Sequence, residues 1–265
     1  MGLSTARRIG AGRVIVLADI SENGLDAAAE SMSADGHDVL TQRVDVTSRA
    51  SVAAVADFAA SAGRLTAVVH TAGLSPQQAS AEAVLAVDLL GVALTLDEFG
   101  RVVEPGGAGV VIASMAAHMY PVLDAELQRQ LADTPTDELL ELDACAAISD
   151  SRQAYPFAKR ANQIRVAAAA CTWGLRGARI NCISPGVIST AMGRLELSGE
   201  SGGLMQSMVD NAGVRRIGTP EDIAAAAEFL LGPTASFITG TDLLVDGGVI
   251  AAIQTGTIDL ASTAR

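Results

Sequence analysis

Tyr155 and Lys159 stand four residues apart in Tyr155-Pro-Phe-Ala-Lys159, a spacing that puts a phenol and an ammonium on one face of a helix. A cation so close favours the phenolate and is expected to lower the tyrosine pKa toward a value usable in acid/base work. The pair alone is a weak signal, because Tyr and Lys meet at this spacing by chance in many helices. Other chemistry is easier to exclude. No Gly-x-Ser-x-Gly surrounds Ser114, so a hydrolase nucleophile is not expected there. Cys145, Cys171 and Cys182 are far apart and odd in number, which fits neither a disulfide framework nor a Cys-x-x-Cys metal site and suits a reducing cytoplasm. His70 has no ligand set around it in sequence, so no metal is expected and a hydrogen-bonded structural histidine is the default.

The elements that must position these groups alternate along the chain. Val14 to Ala18 is a short continuous apolar run ending at Asp19, which reads as a strand buried on both faces. Gly24 to Ala34 reads as a helix and Val39 to Val44 as a strand closed by Asp45; Arg49 to Ala62 reads as a helix capped by Ser48. Leu65 to His70 is a further buried strand. A long helix is expected over Ala79 to Val103, stopped by Pro105-Gly106-Gly107, with a strand from Val110 to Ala113. Helix and strand recur at Tyr155 to Trp173 and Ala178 to Ile183, then at Pro220 to Leu231 and Asp242 to Val245. This alternation argues for one α/β domain spanning 1–265, a doubly wound parallel sheet in three αβα layers. One segment, about 118–150, breaks the rhythm: it is acidic, carries Pro121 and Pro135, and has helix-like pieces at Asp124 to Leu131 and Thr136 to Leu142, with Thr134-Pro135 resembling a helix start. It reads as an insert, either a solvated excursion or a wall over a site.

Composition narrows the partners. Eighteen Lys plus Arg against thirty Asp plus Glu give a formal charge of −12, which leaves no basic excess for nucleic acid. Apolar runs are interrupted, as Asp88 interrupts Ala83 to Leu96, so no membrane helix is expected, and the arginine-bearing start has no apolar core of a signal peptide.

The order of motifs resembles the short-chain dehydrogenase/reductase family, a Rossmann-fold group of nicotinamide-dependent oxidoreductases. The resemblance runs from Gly2 to about Gly248 through Asp19, Asp45-Val46, Thr71-Ala72-Gly73, Ser114, Tyr155 and Lys159, Arg179 to Gly186, Thr190, Arg216 to Asp222 and Asp246-Gly247-Gly248. It implies that Tyr155 exchanges a proton with the substrate oxygen, that Ser114 holds that oxygen, and that Lys159 holds the nicotinamide ribose and assists Tyr155. It also implies NAD binding by Gly2, Leu3, Asp19, Asp45, Val46, Ala72, Gly73, Tyr155, Lys159, Pro185, Gly186, Ile188 and Thr190. A carboxylate such as Asp19 at a strand tip accepts hydrogen bonds from ribose hydroxyls and repels a 2′-phosphate, which argues for NAD over NADP. Asp45 has a second reading as a cap of the next helix. The expected partner is a small alcohol or carbonyl substrate, and the expected assembly a homodimer or homotetramer built on the helices around Leu85 to Phe99 and Tyr155 to Trp173.

Departures from the family pattern matter as much. Asp88 stands where the family has Asn, losing an NH2 donor and adding a charge to the expected proton relay. His70 stands in the family's Asn-Asn-Ala-Gly turn, and the insert separates Ser114 from Tyr155. The chain opens at the last glycine of the family's phosphate turn, so the expectation is a sheet lacking the family's first strand, with Met1 an internal methionine. The alternative is that the tail, from Val249 to Leu260, fills that slot. These departures keep a second function open: a non-catalytic nucleotide-binding or scaffold protein, or an inactive truncated chain.

Overall fold

The computed structural model of the chain describes residues 1–199 and 202–258. The first half runs α1 (Gly2–Ile9), β1 (Val14–Asp19), α2 (Glu22–Ala34), β2 (Asp38–Arg43), α3 (Arg49–Ala62) and β3 (Ala67–His70). There follow α4 (Ala81–Val84), a π-helical segment (Leu85–Leu90), α5 (Gly91–Val102), β4 (Ala108–Ile112), α6 (Ala116–Met119), α7 (Ala125–Asp133), a 3₁₀ segment (Thr136–Glu141) and α8 (Asp143–Ala146). The second half contains α9 (Ser151–Leu175), β5 (Arg179–Pro185), α10 (Ala191–Ser198), α11 (Gly202–Asn211), α12 (Pro220–Leu231), β6 (Asp242–Val245) and α13 (Val249–Gln254). Local chemistry sets several bounds. The Ser48 hydroxyl accepts from the Ser51 amide at the start of α3, and Thr219 and Asp222 cap α12 reciprocally ahead of Pro220.

All strand pairs are parallel, but they form two pieces: β1 pairs with β2, and β3, β4, β5 and β6 pair in that order. Successive residues of β4 point to opposite faces. Val111 packs with Val92, Leu96, Val166 and Trp173 under α5 and α9, and Val110 packs with Ile183, Ile223 and Leu230 under α12. The result is a Rossmann-like three-layer α/β architecture.

Between β1 and β3 lies a cleft of about 680 Å³, lined by Val14 to Asp19 on one side, Leu65 to Val69 on the other, and Gly2 and Leu3 of α1. The expectation that Val14 to Ala18 is buried on both faces is corrected here. Val14 is 46% exposed and no residue of β1 is fully buried, because among the described residues no strand lies beside the edge of β1 that faces β3.

The insert is not a solvated excursion. Leu123, Leu131, Leu139 and Cys145 are buried against Leu85, Leu89, Ala93, Phe157 and Ala161. The buried Arg165 of α9 donates to the carbonyls of Leu131 and Thr134 at 3.2 and 2.7 Å and to the Thr136 hydroxyl at 2.8 Å. Thr134-Pro135 therefore ends α7 and precedes a single 3₁₀ segment. The described part of the tail lies away from the cleft: Val249 to Gln254 is helical and, with Ile258, packs against Met208 and Val209 of α11. The tail's remaining residues, 259–265, lie outside the described part of the chain.

Candidate functional site

Ser114 follows β4 and is held where the chain turns away from the sheet. Its hydroxyl accepts from the Ala116 amide at 3.1 Å, and the Met115 amide donates to the Pro185 carbonyl at 2.8 Å. Tyr155 lies in the second turn of α9, whose first turn is capped by the Asp150 carboxylate accepting from the Arg152 amide. The Ser114 hydroxyl lies beside the Tyr155 phenol, near enough to favour the phenolate. One turn on, the Lys159 Nζ sits 5.4 Å from the Tyr155 ring centroid, donates to the Ile112 carbonyl at 3.4 Å, and pairs with Asp88 Oδ2 at 3.2 Å. The four residues predicted for the chemistry thus meet at one place, the C-terminal end of β4.

Asp88 reaches this place from the middle of the π-helical segment, a kind of bulge that often marks functional positions. Its Oδ1 accepts from the Leu74 amide at 2.7 Å, and its backbone carbonyl accepts from Asn162 Nδ2 at 2.8 Å. The Gly73 backbone passes close beside the pair. A Cβ on Gly73 would stand 3.3 Å from Lys159 Nζ and 3.4 Å from the Asp88 carboxylate.

The electrostatics correct one expectation. The Tyr155 pKa lies above its ordinary value, because burial of the phenol outweighs the pull of Lys159 and of the Ser114 hydroxyl, while Asp88 and Glu196 push the same way as burial. Burial likewise raises the Glu196 carboxyl. His70 is held neutral, its pKa lowered to about 4 by burial and by Lys159. Its Nδ1 lies 3.0 Å from the Thr95 hydroxyl, which itself donates to the Gly91 carbonyl at 2.8 Å.

The residues expected to hold a dinucleotide are spread along the C-terminal ends of the strands, the ligand side of an open parallel sheet. Gly2 and Leu3 open α1, whose first turn has no side-chain cap, and face Asp19 across the mouth of the cleft. A Cβ on Gly2 would stand 2.8 Å from the Thr71 hydroxyl, so this end of α1 abuts the turn that continues into Ala72 and Gly73. Asp19 Oδ1 accepts from the Ser21 amide at 2.9 Å. Asp45 and Val46 follow β2; the Asp45 carboxylate accepts from the Thr47 amide and hydroxyl, and Ser48, not Asp45, caps α3. Pro185 ends β5. A Cβ on Gly186 would come 2.6 Å from the Asp246 backbone, Ile188 bridges to Gly218, and the Thr190 hydroxyl caps α10. The Asp19 and Asp45 carboxylates and the uncapped start of α1, all at strand ends, fit a dinucleotide.

Two features escaped the sequence. His118 Nε2 lies 2.7 Å from Asp242 Oδ2, Ser184 donates to Asp242 Oδ1 at 2.7 Å, and Gln163 Nε2 donates to both Ser184 and Asp242 at 3.2 and 3.1 Å. This network pins the start of the insert to β5, β6 and α9, and its members, spread over 118–242, have no local motif. Glu196 near Tyr155 is equally silent in sequence. Apolar residues flank the site: Met115 and Val187 pack with Met208, Val209 and Ile250. Among the described residues there is no cluster of three or more metal-ligating side chains, and no helix is long and apolar enough to cross a membrane.

A family model described as "Enoyl-(Acyl carrier protein) reductase" matches residues 1–125 and 139–250, so its one internal gap falls inside the insert. The chain is 38% identical over 259 residues to a short-chain dehydrogenase/reductase of Alternaria brassicicola, covering 97% of this chain and 94% of the relative. It is 30% identical to D-threitol dehydrogenase of Mycolicibacterium smegmatis over 89% of this chain and 83% of that protein. Among solved structures, a 7α-hydroxysteroid dehydrogenase complexed with NADH and 7-oxo glycochenodeoxycholic acid superposes with a TM-score of 0.74 at 26% identity, over 93% of this chain and 89% of that one. These names do not favour a non-catalytic scaffold, and the extent of the matches lends the expected loss of a first strand no support.

Proposed function

The chain belongs to the short-chain dehydrogenase/reductase family, and on that premise we propose that it is an NAD(H)-dependent oxidoreductase that interconverts an alcohol and a carbonyl, with Tyr155 as general acid/base. The observation that carries this reading is the convergence of Ser114, Tyr155 and Lys159 at the end of β4. NAD(H), when bound, supplies or accepts the hydride. Ser114 donates to the substrate oxygen and fixes it beside the phenol. In reduction the Tyr155 proton passes to that oxygen; in oxidation the phenolate takes it back. Lys159 holds its place through Ile112 and Asp88 and keeps the phenol oriented toward Ser114.

Asp19 supports NAD over NADP. With Oδ1 bound to the Ser21 amide, its other oxygen is available to a ribose hydroxyl, and its charge opposes a 2′-phosphate. The apolar flank of Met115, Val187, Met208 and Ile250 supports a substrate with an apolar body next to its reacting carbon. Assembly into a homodimer or homotetramer, in the cytoplasm, belongs to the same reading, although the insert now lies along the helices on which copies were expected to pair.

The cleft between β1 and β3 supports the lack of one strand. The cleft runs along all of β1, from Val14 to Asp19, so an extended segment of about six residues would lie along it. An apolar extended segment of about six residues joined ahead of Met1 is expected to raise the unfolding temperature; an unchanged temperature contradicts the reading.

Tyr155→Phe tests the function. Turnover is expected to fall by about 10²- to 10⁴-fold, with NADH binding, followed by its fluorescence, retained. Undiminished turnover refutes the assignment.

A further inference from the structure

We propose that Asp88 is a positioning residue that cancels the charge of Lys159 and so keeps the Tyr155 phenol protonated to higher pH than the lysine alone would allow. The catalytic meaning of this rests on the function proposed above; the electrostatics do not.

The pair is sealed. The Asp88 and Lys159 side chains are 0% and 5% exposed, with Oδ2 and Nζ 3.2 Å apart. The Leu74 amide, the Asn162 side chain and the π-helical backbone fix Asp88 from three directions. Burial raises the Asp88 carboxyl, and Asp88 in turn holds the lysine proton in place. Whether the proton rests on Nζ or on Oδ2, the pair carries no net charge, so the phenol 5.4 Å away by ring centroid faces a dipole rather than a cation. A carboxamide at this position would still take the Leu74 amide on its oxygen, but its NH2 would face the ammonium and leave the cation uncompensated.

The other ionisable groups around the pair do not alter this balance. His70 of β3 is neutral, and burial pushes the Cys182 thiol of β5 well up, so it stays protonated. Glu196 of α10 is raised by burial and, when ionised, opposes the phenolate as Asp88 does. A protonated Tyr155 at neutral pH is ready to give its proton, which is the direction of carbonyl reduction.

The chain has two tyrosines, so in a Tyr120→Phe background the tyrosinate absorbance of the cofactor-free protein reads Tyr155 alone. Asp88→Asn is expected to lower its titration midpoint by about one to two pH units. The double variant Asp88→Asn/Lys159→Met exchanges one neutral pair for another and is expected to stay within about half a unit of the parent. A single variant with an unmoved or raised midpoint overturns the proposal. If the single variant does not fold, the double variant decides: a midpoint raised by more than about one unit shows an uncompensated lysine in the parent and also overturns it. The titration needs no substrate. The predicted shift in a protein that turns over no alcohol or carbonyl would uphold the charge cancellation and sink the proposed reaction.

Discussion

The two pieces of the sheet are made of similar sequence and packed to different depths. Val-Ile-Val-Leu-Ala-Asp of β1 is half-exposed, while all five residues of Ala-Gly-Val-Val-Ile in β4 are buried. The difference lies in their neighbours: β4 has a strand on each side, whereas among the described residues β1 pairs with β2 alone and faces a cleft across its other edge. An apolar run therefore states a capacity for burial, and the strands beside it decide whether that capacity is used. The same division runs through the site. Ser114, Tyr155, Lys159 and Asp88 are anchored on the four-stranded piece and its helices, while Asp19 rides on the two-stranded one. Side-chain links between α1 and α12, Arg8 to Glu228 and Ser4 to Glu221, help to join the two sides.

The sharpest way to break this comparison is to cut equivalent apolar volume from each piece. Ile112 of β4 is buried among Ile183, Ile188 and Ile223, so Ile112→Ala is expected to cost about 2–5 kcal/mol in denaturant unfolding. Ile15→Ala, on the half-exposed strand, is expected to cost about 1 kcal/mol. Equal losses would mean that the two pieces are equally packed.

Acid separates them next. His70, at the end of β3, has a folded pKa of about 4, below the ordinary 6.5 or so of the unfolded chain. Above that unfolded value the ring is neutral in both states and costs nothing. As pH falls through the window toward 4, the unfolded chain takes up a proton that the folded one refuses, and stability declines by up to about 3 kcal/mol. His70→Asn is expected to flatten this part of the acid limb in urea unfolding measured at several pH values; an unchanged limb contradicts the buried neutral ring. The smallest effect belongs to the exposed carboxylate of the looser piece. Asp19→Ala is expected to weaken NADH binding about tenfold and, through loss of the Ser21 amide's partner, to cost no more than about 1 kcal/mol in stability; an unaltered affinity would remove Asp19 from the cofactor site.

What was legible follows the range of the forces involved. The starts of α3 and α12 were readable from Ser48 and from Pro220, because the signals that open a helix act within its first turn. Tyr155 and Lys159 were readable from helical spacing, and Ser114 and the strand-end residues from motif order. The insert's α7 was readable as a helix, but not its burial: Leu131 and Leu139 look like surface residues of an acidic segment until Arg165 and Phe157 of α9 are beside them. The direction of the Tyr155 shift was misjudged for the same reason, since the helix spacing reveals the lysine but not the depth of the phenol or the two carboxyls facing it. The His118, Asp242, Ser184 and Gln163 network joins four separate elements and has no signature within any of them.

The proposed reaction is hydride transfer at a carbon whose oxygen is held by Ser114 and Tyr155. NADH carrying deuterium at the transferring position of its nicotinamide, incubated with the protein and a panel of ketones and aldehydes, tests it most directly. Mass spectrometry is expected to find one deuterium on the carbinol carbon of a product alcohol, present with the parent protein and absent with Tyr155→Phe. NADH that binds but delivers deuterium to no carbonyl across the panel would contradict the account.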